Sequence, residues 1–373
     1  MADLTECYSE FIKNENFLNL IIKIFTFSFF PKKILFGYEK YTFLALSLYF
    51  CATSFSALSY LNDSMLESGI IIMVAGGVAQ DTIKTLIPLF NENELHELLY
   101  WIRELHKDNT FNQVTKSAAT HFKKINFIIT IFQKVMFTAY FTAASTISGY
   151  AVYSNFVIHA IPWIPVKENE PNIYHRIHQA FVLPFISIQL TSSECILVTI
   201  LFYFIAIQNV FHDMVGHLDD SNLKNKKQFL RAVYIFHCEI LKKFRIFSDI
   251  CFYSFTIQTG SNCLYIMFMF YVLRVETNII FIPLFMAIYL QFGLSCILGE
   301  FIYSKSENIF TDLYLTKWYE FDLSDQRVFL MMMRVSQYPF GFKAAGIYDI
   351  NIVMFIQVIK AGLSFSAILY TFT

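Results

Sequence analysis

Four stretches of this chain run for more than twenty residues without one charged side chain: Tyr41–Leu61, Val135–Ile158, Ile250–Leu273 and Thr277–Gly299. About 20 apolar residues in a helix cross the hydrocarbon core of a bilayer. In that medium every backbone N–H and C=O needs a partner within the protein, which a helix supplies. A water-soluble globule built around such stretches would lack a surface. Soluble domains carry roughly 25% charged residues, whereas here Asp, Glu, Lys and Arg make up 15% of 373 residues and 56% are hydrophobic. Mean hydropathy is +0.48. The predicted class is an all-α membrane protein surrounded by membrane lipid.

Three further segments bring the expected spans to seven. Ile177–Phe211 reads as one long helix, interrupted by Glu194 and bent at Pro184. Met65–Phe90 carries Glu67, Asp81 and Lys84, and Ile350–Thr373 carries Lys360. Phe17–Phe30 is 14 residues long, contains Lys23 and precedes Pro31-Lys32-Lys33 rather than a cleavage site. It reads as an interfacial helix.

Lysine and arginine set the expected orientation. The first 40 residues hold five, and the stretches after the second, fourth and sixth spans hold six, seven and five. The alternate segments hold only Lys167, Arg176 and Arg274. The N-terminus is therefore expected in the cytoplasm and, after seven crossings, the C-terminus outside. G-protein-coupled receptors have seven helices in the opposite orientation, and their Asp-Arg-Tyr and Asn-Pro-x-x-Tyr elements are missing here. All seven cysteines fall in spans or on the cytoplasmic side, where disulfides are rare. The sequon Asn62-Asp63-Ser64 falls in the first outer loop.

One membrane domain is expected over 1–373, with a six-helix bundle over 38–300 and a cytoplasmic helix plus the last span over 301–373. Helical periodicity with mixed charge over Asn93–Lys124 and Leu223–Ser248 predicts helical extensions below the membrane. Outside, His159–His175 contains Pro162, Pro165 and Pro171 and reads as an irregular loop. His175 and His178 fit a solvated helix start better than a metal site. No glycine-rich nucleotide loop or metal-ligand spacing occurs, and the outer bundle offers few ionisable groups for catalysis. An enzyme, a cofactor and a nucleic-acid partner are not expected. A transporter would show paired repeats, and none is visible.

From Cys296 onward the chain has a more specific pattern. It runs through Gly299-Glu300, Ser304 and Ser306, Trp318-Tyr319, a Met332-x-Arg334-x-Ser336-x-x-Pro339 element, and Lys360…Ser364-Phe365-Ser366. In this order and spacing the segment resembles the C-terminal third of insect odorant receptors. Gustatory receptors usually end in a Thr-Tyr…Gln-Phe pattern that is absent here; a gustatory-receptor-like channel is the alternative. The resemblance implies a nonselective cation channel gated by a small, volatile, largely apolar odorant. It also implies a heterotetramer with the odorant-receptor co-receptor in the plasma membrane of olfactory sensory neurons. The co-receptor carries a long insertion where His212–Phe247 is short, which implies the tuning subunit.

The resemblance further implies a ligand cavity in the outer half of the bundle, between the second, third, fourth and sixth spans with part of the fifth. On the third span, Thr138, Phe141, Thr142, Ser145, Ser148 and Val152 form a stripe of mostly small and polar residues. That stripe fits either a cavity wall or close helix packing. Phe181, Phe185 and Ile188 share a face of the fourth span, with Gln189 beside it; Val74 and Tyr265 complete the candidates. The last helix is implied to line a central pore. Ile368 and Phe372 would form its apolar constriction and Thr371 its polar lining, three positions on one helical face. A narrow apolar passage resists ions by dewetting. The family usually has a smaller aliphatic residue where Phe372 stands, and often an amide where Thr371 stands. Glu194 is either functional or a structural hydrogen-bond partner. Lys360 either snorkels to the interface, pairs with Asp349 or faces the vestibule.

Overall fold

Where they are described, the charge-free runs lie mostly in helices, and so do the polar segments between them. The computed structural model describes residues 2–27, 38–60, 65–107, 112–154, 156–166, 172–220, 225–275 and 282–372. Among these are ten α-helices: α1 (Ala2–Thr26), α2 (Thr42–Ala57), α3 (Met65–Phe90), α4 (Glu92–Leu105), α5 (Asn112–Tyr153), α6 (Ile173–Gly216), α7 (Lys226–Val275), α8 (Ile282–Leu315), α9 (Leu323–Ser336) and α10 (Ile352–Phe372). The sequon at 62–64, Lys167 and Pro171 lie outside the described residues.

Among the described residues, five helices are long and apolar enough to cross a membrane: Glu39–Tyr60, Ser68–Phe90, Val114–Tyr153, Ile173–Asp219 and Ile282–Leu315. With the shorter apolar stretch Ile352–Ile368, they make the chain an all-α, multi-pass membrane protein. The expected span Ile250–Leu273 lies within α7 but is less apolar. Its polar side chains Ser254, Gln258, Thr259 and Asn262 are buried among the helices, so the face turned outward remains apolar. α5, α6 and α7 contain 42, 44 and 50 residues. At about 1.5 Å per residue they are roughly 60–75 Å long, twice the hydrocarbon thickness of about 30 Å. They therefore continue beyond the hydrocarbon core.

α6 is the central helix. From Cys195 to Val215 it is buried almost continuously, as expected of a helix that is hydrophobic all round. α5 packs along it on one side; α3 and α8 pack on others, and α10 lies against α7. At the end we call inner, α1 and α4 brace the bundle. α1 begins well before the expected interfacial stretch and ends at Thr26. It buries Phe11, Leu18, Ile21, Ile22 and Phe25, and Glu15 forms an ion pair with Arg103 of α4 at 2.5 Å.

At the opposite, outer end, the segment 156–166 is irregular, as the prolines predict, but it is held by side chains. Gln179 accepts from the Ile158 N–H (3.0 Å) and donates to the Phe156 carbonyl (2.9 Å). His159 bonds Ser54 of α2 (2.9 Å), and His175 accepts from the Ile161 N–H (3.0 Å). His175 is 1% exposed, which corrects the expectation of a solvated helix start. For His159, burial first and the nearby His178 second depress the pKa to about 3.

Between α9 and α10 a short antiparallel hairpin pairs Lys343 with Asp349 and Ala344 with Tyr348. Gly346 sits at φ +72° in its turn, a conformation glycine adopts without steric cost. Asp349 forms an ion pair with Lys343 at 3.8 Å; Lys360 is exposed on α10.

Candidate functional site

A mostly apolar cavity of about 140 Å³ lies between α3, α5, α6, α7 and α8. An apolar cavity of about 150 Å³ in another protein takes up benzene, so this volume suits a small organic molecule. Helical periodicity explains which residues line it. Met73, Gly77 and Gln80 share a face of α3, with Val74 and Val78 beside them. α5 contributes Tyr140, Ala143, Ala144 and Ile147; α6 contributes Leu183, Ile186, Ser187 and Leu190. Tyr265 of α7 and Leu284, Ala287, Ile288 and Gln291 of α8 close the ring. At Gly77 an added Cβ would meet nothing within 4 Å, so the missing side chain is itself part of the open space.

No charged side chain lines the cavity. Its polar groups gather at the inner end. Gln80, Tyr140 and Gln291 each stand seven residues, about two turns, inward of the outer lining residues Met73, Ile147 and Leu284 of their own helices. Gln80 accepts from the Ser261 hydroxyl at 2.5 Å. Gln291 donates its side-chain amide to Glu194, which forms a buried ion pair with Lys84 of α3. The intramembrane carboxylate thus closes a network across α3, α6 and α8. The Tyr140 and Tyr265 hydroxyls are buried with no hydrogen-bond partner. The Ser187 hydroxyl donates to the Pro184 carbonyl of its own helix at 2.8 Å.

Of the residues singled out in the sequence, Val74 and Tyr265 line this cavity. The α5 stripe faces away from it: Thr138, Phe141, Thr142 and Ser145 are exposed, and Ser148 is buried but is not among the lining residues. Thr142 donates to the Thr138 carbonyl at 2.7 Å, a bond within one helix. The lining face of α5 belongs to the apolar series Met136, Tyr140, Ala143, Ile147 and Ala151, all buried. On α6, Phe181, Phe185 and Ile188 point outward with exposures of 75%, 38% and 46%. Phe185 lies edge-on to Phe50 of α2 at 5.4 Å. Gln189 is buried and donates to the Ser47 hydroxyl of α2 at 2.7 Å. The lining residues not singled out, among them Gln80, Tyr140 and Gln291, follow the apolar periodicity of α3, α5 and α8, and that signal could have found them.

On α10, Val358, Gly362 and Ser366 are buried at four-residue spacing, and the Ser366 hydroxyl donates to the Phe270 carbonyl of α7 at 3.1 Å. Leu363, Phe365 and Ile368 are exposed. Thr371 is exposed and donates to the Ile368 carbonyl at 2.6 Å; the side chain of Phe372 lies outside the described part.

Comparison with known proteins places the chain. A family model described as 7tm Odorant receptor matches residues 72–362. Two solved structures share the fold: the insect olfactory receptor OR5 from Machilis hrabei in complex with eugenol, and the same receptor in a second structure. The first is 15% identical with a TM-score of 0.74, and the second 14% identical with a TM-score of 0.76. Each alignment covers 98% of this chain and 100% of the other. No curated protein matches the sequence.

Proposed function

The chain belongs to the 7tm odorant receptor family, and on that premise we propose that it is the odorant-binding, tuning subunit of a ligand-gated nonselective cation channel. It assembles with the odorant-receptor co-receptor as a heterotetramer in the plasma membrane of olfactory sensory neurons, with its N-terminus cytoplasmic. The observation that carries this reading is the mostly apolar, uncharged cavity between α3, α5, α6, α7 and α8. Binding of a small apolar molecule draws on burial of its surface, about 25 cal/mol per Å², and on a preformed concave site. A eugenol complex of the structurally similar Machilis receptor supports the same ligand class here.

In this reading α10 lines the pore. Its buried stripe on α7 leaves Leu363, Phe365 and Ile368 exposed in the single chain, an apolar face available to a ring of subunits around an axis. Ile368, Thr371 and Phe372 form the gate.

Current recorded from cells expressing this chain with and without the co-receptor, across an odorant panel, tests the proposal. Odorant-evoked cation current is expected only with both chains. Gly77→Leu places a side chain in the open space and should raise the concentration needed for half-maximal response at least tenfold, with surface expression unchanged. A response unaffected by Gly77→Leu would remove the cavity from ligand binding.

A further inference from the structure

We infer that the ligand is a neutral molecule carrying a hydrogen-bond-acceptor oxygen, held at the inner end of the cavity by the Tyr140 hydroxyl with its apolar body directed outward. This rests on the cavity being the ligand site. Apart from Ser187 and the Tyr265 hydroxyl the side walls are apolar, whereas the inner end collects Gln80, Tyr140 and Gln291. The other polar groups there have commitments: the Gln80 oxygen to Ser261, the Gln291 amide to Glu194, the Ser187 hydroxyl to Pro184. Two lining hydroxyls have none, those of Tyr140 and Tyr265. Tyr265 stands one turn along α7 from Ser261, the partner of Gln80, so of the two it is Tyr140, on a side chain 6% exposed, that lies at the inner end. A buried hydroxyl without a partner is costly, and a ligand oxygen relieves that cost where a hydrocarbon cannot. A charged ligand is disfavoured, because no charged group lines the cavity and Lys84 and Glu194 neutralise each other behind it.

The test uses isosteric pairs differing only in the acceptor: acetophenone against α-methylstyrene, and 2-heptanone against 2-methyl-1-heptene. Binding is read as the ligand-dependent rise in thermal midpoint of the full chain in detergent. Each ketone is expected to bind about tenfold more tightly than its alkene, and Tyr140→Phe, which keeps the ring, should reduce that ratio to within about twofold while leaving alkene affinity unchanged. Equal affinities in the unaltered protein, no ketone binding, or a ratio that survives Tyr140→Phe would each overturn the inference. Gly77→Leu separates the two readings. If it leaves ketone affinity unaltered, the molecules bind elsewhere and the cavity assignment fails; if it weakens all probes while Tyr140→Phe changes nothing, only the acceptor inference fails.

Discussion

Lys84 and Glu194 are 1% and 2% exposed at their side chains and 110 residues apart in sequence. Each is tolerable inside the bundle because of the other. Removing one partner of a buried pair leaves an uncompensated charge and costs about 3–5 kcal/mol, whereas replacing both by apolar residues is near neutral or stabilising. Lys84→Met and Glu194→Leu should each lower the thermal midpoint of the purified protein, and the double variant should recover most of the loss. Lys84→Met is expected to be the more damaging, since Asp81 lies one turn away with a carboxylate oxygen unpartnered. Failure of the double variant to recover would mean that the pair stabilises the bundle beyond mutual neutralisation. At the inner end, His106 is stacked between Phe11 and Phe122 at 4.2 Å from each, and its Nδ1–H donates to the Ile102 carbonyl at 2.8 Å. Burial depresses its pKa to about 4, against a slight opposing effect of that hydrogen bond. The unfolded chain takes up this proton near pH 6.5 and the folded one only near pH 4. The contribution is therefore complete above about pH 6.5 and is lost as pH falls towards 4, at about 1.4 kcal/mol per unit. Thermal midpoints measured from pH 7 to 4.5 should fall less steeply in His106→Phe.

Among the elements, the hairpin before α10 decides how the last helix is seated. Phe342 is buried against Phe244, Phe247 and Phe255 of α7, with ring centroids 5.1, 5.8 and 5.0 Å away. The carbonyl of Ile350 comes so close to α8 that a Cβ on Gly299 would sit 2.1 Å from it. The Ile350 oxygen belongs to the backbone and a Cβ is fixed to its own, so no rotamer change relieves the clash. Gly299→Ala should shift the hairpin off α8 and increase protease cleavage near 343–349; unchanged digestion would mean that α8 and the hairpin can separate without loss. Phe342→Ala should destabilise the chain by about 3–5 kcal/mol, the usual range for a buried phenylalanine, read from the same thermal midpoint. For α10, Ile368→Ala is expected to produce cation current without odorant in cells that also express the co-receptor. No added current would separate this position from the proposed gate.

At the scale of the whole molecule, the charge asymmetry makes a prediction about sidedness. A tag at Thr373 should stain on intact cells and a tag at Met1 only after permeabilisation; the reverse would invert the proposed topology and place the 156–166 segment in the cytoplasm.

Helical class and membrane residence were legible in the sequence because they are local properties. A charge-free run of twenty residues must be helical in lipid wherever its neighbours lie, and three of the five apolar helices, Glu39–Tyr60, Val114–Tyr153 and Ile282–Leu315, coincide with such runs. The family pattern after Cys296 was legible for a similar reason, being carried by spacing along the chain. The rotation of each helix was not. On α5 a polar stripe and an apolar stripe alternate, and in lipid either one can face inward. The apolar series through Tyr140 and Ile147 went in, leaving Thr138, Phe141 and Ser145 outside. Only the packed neighbours decide this, because water no longer separates polar faces from apolar ones. The same holds for Asp81, Lys84 and Glu194, which made two spans look imperfect while read singly. Tertiary structure brings Lys84 and Glu194 together across α3 and α6, where attraction between opposite charges offsets the loss of hydration that either alone would suffer.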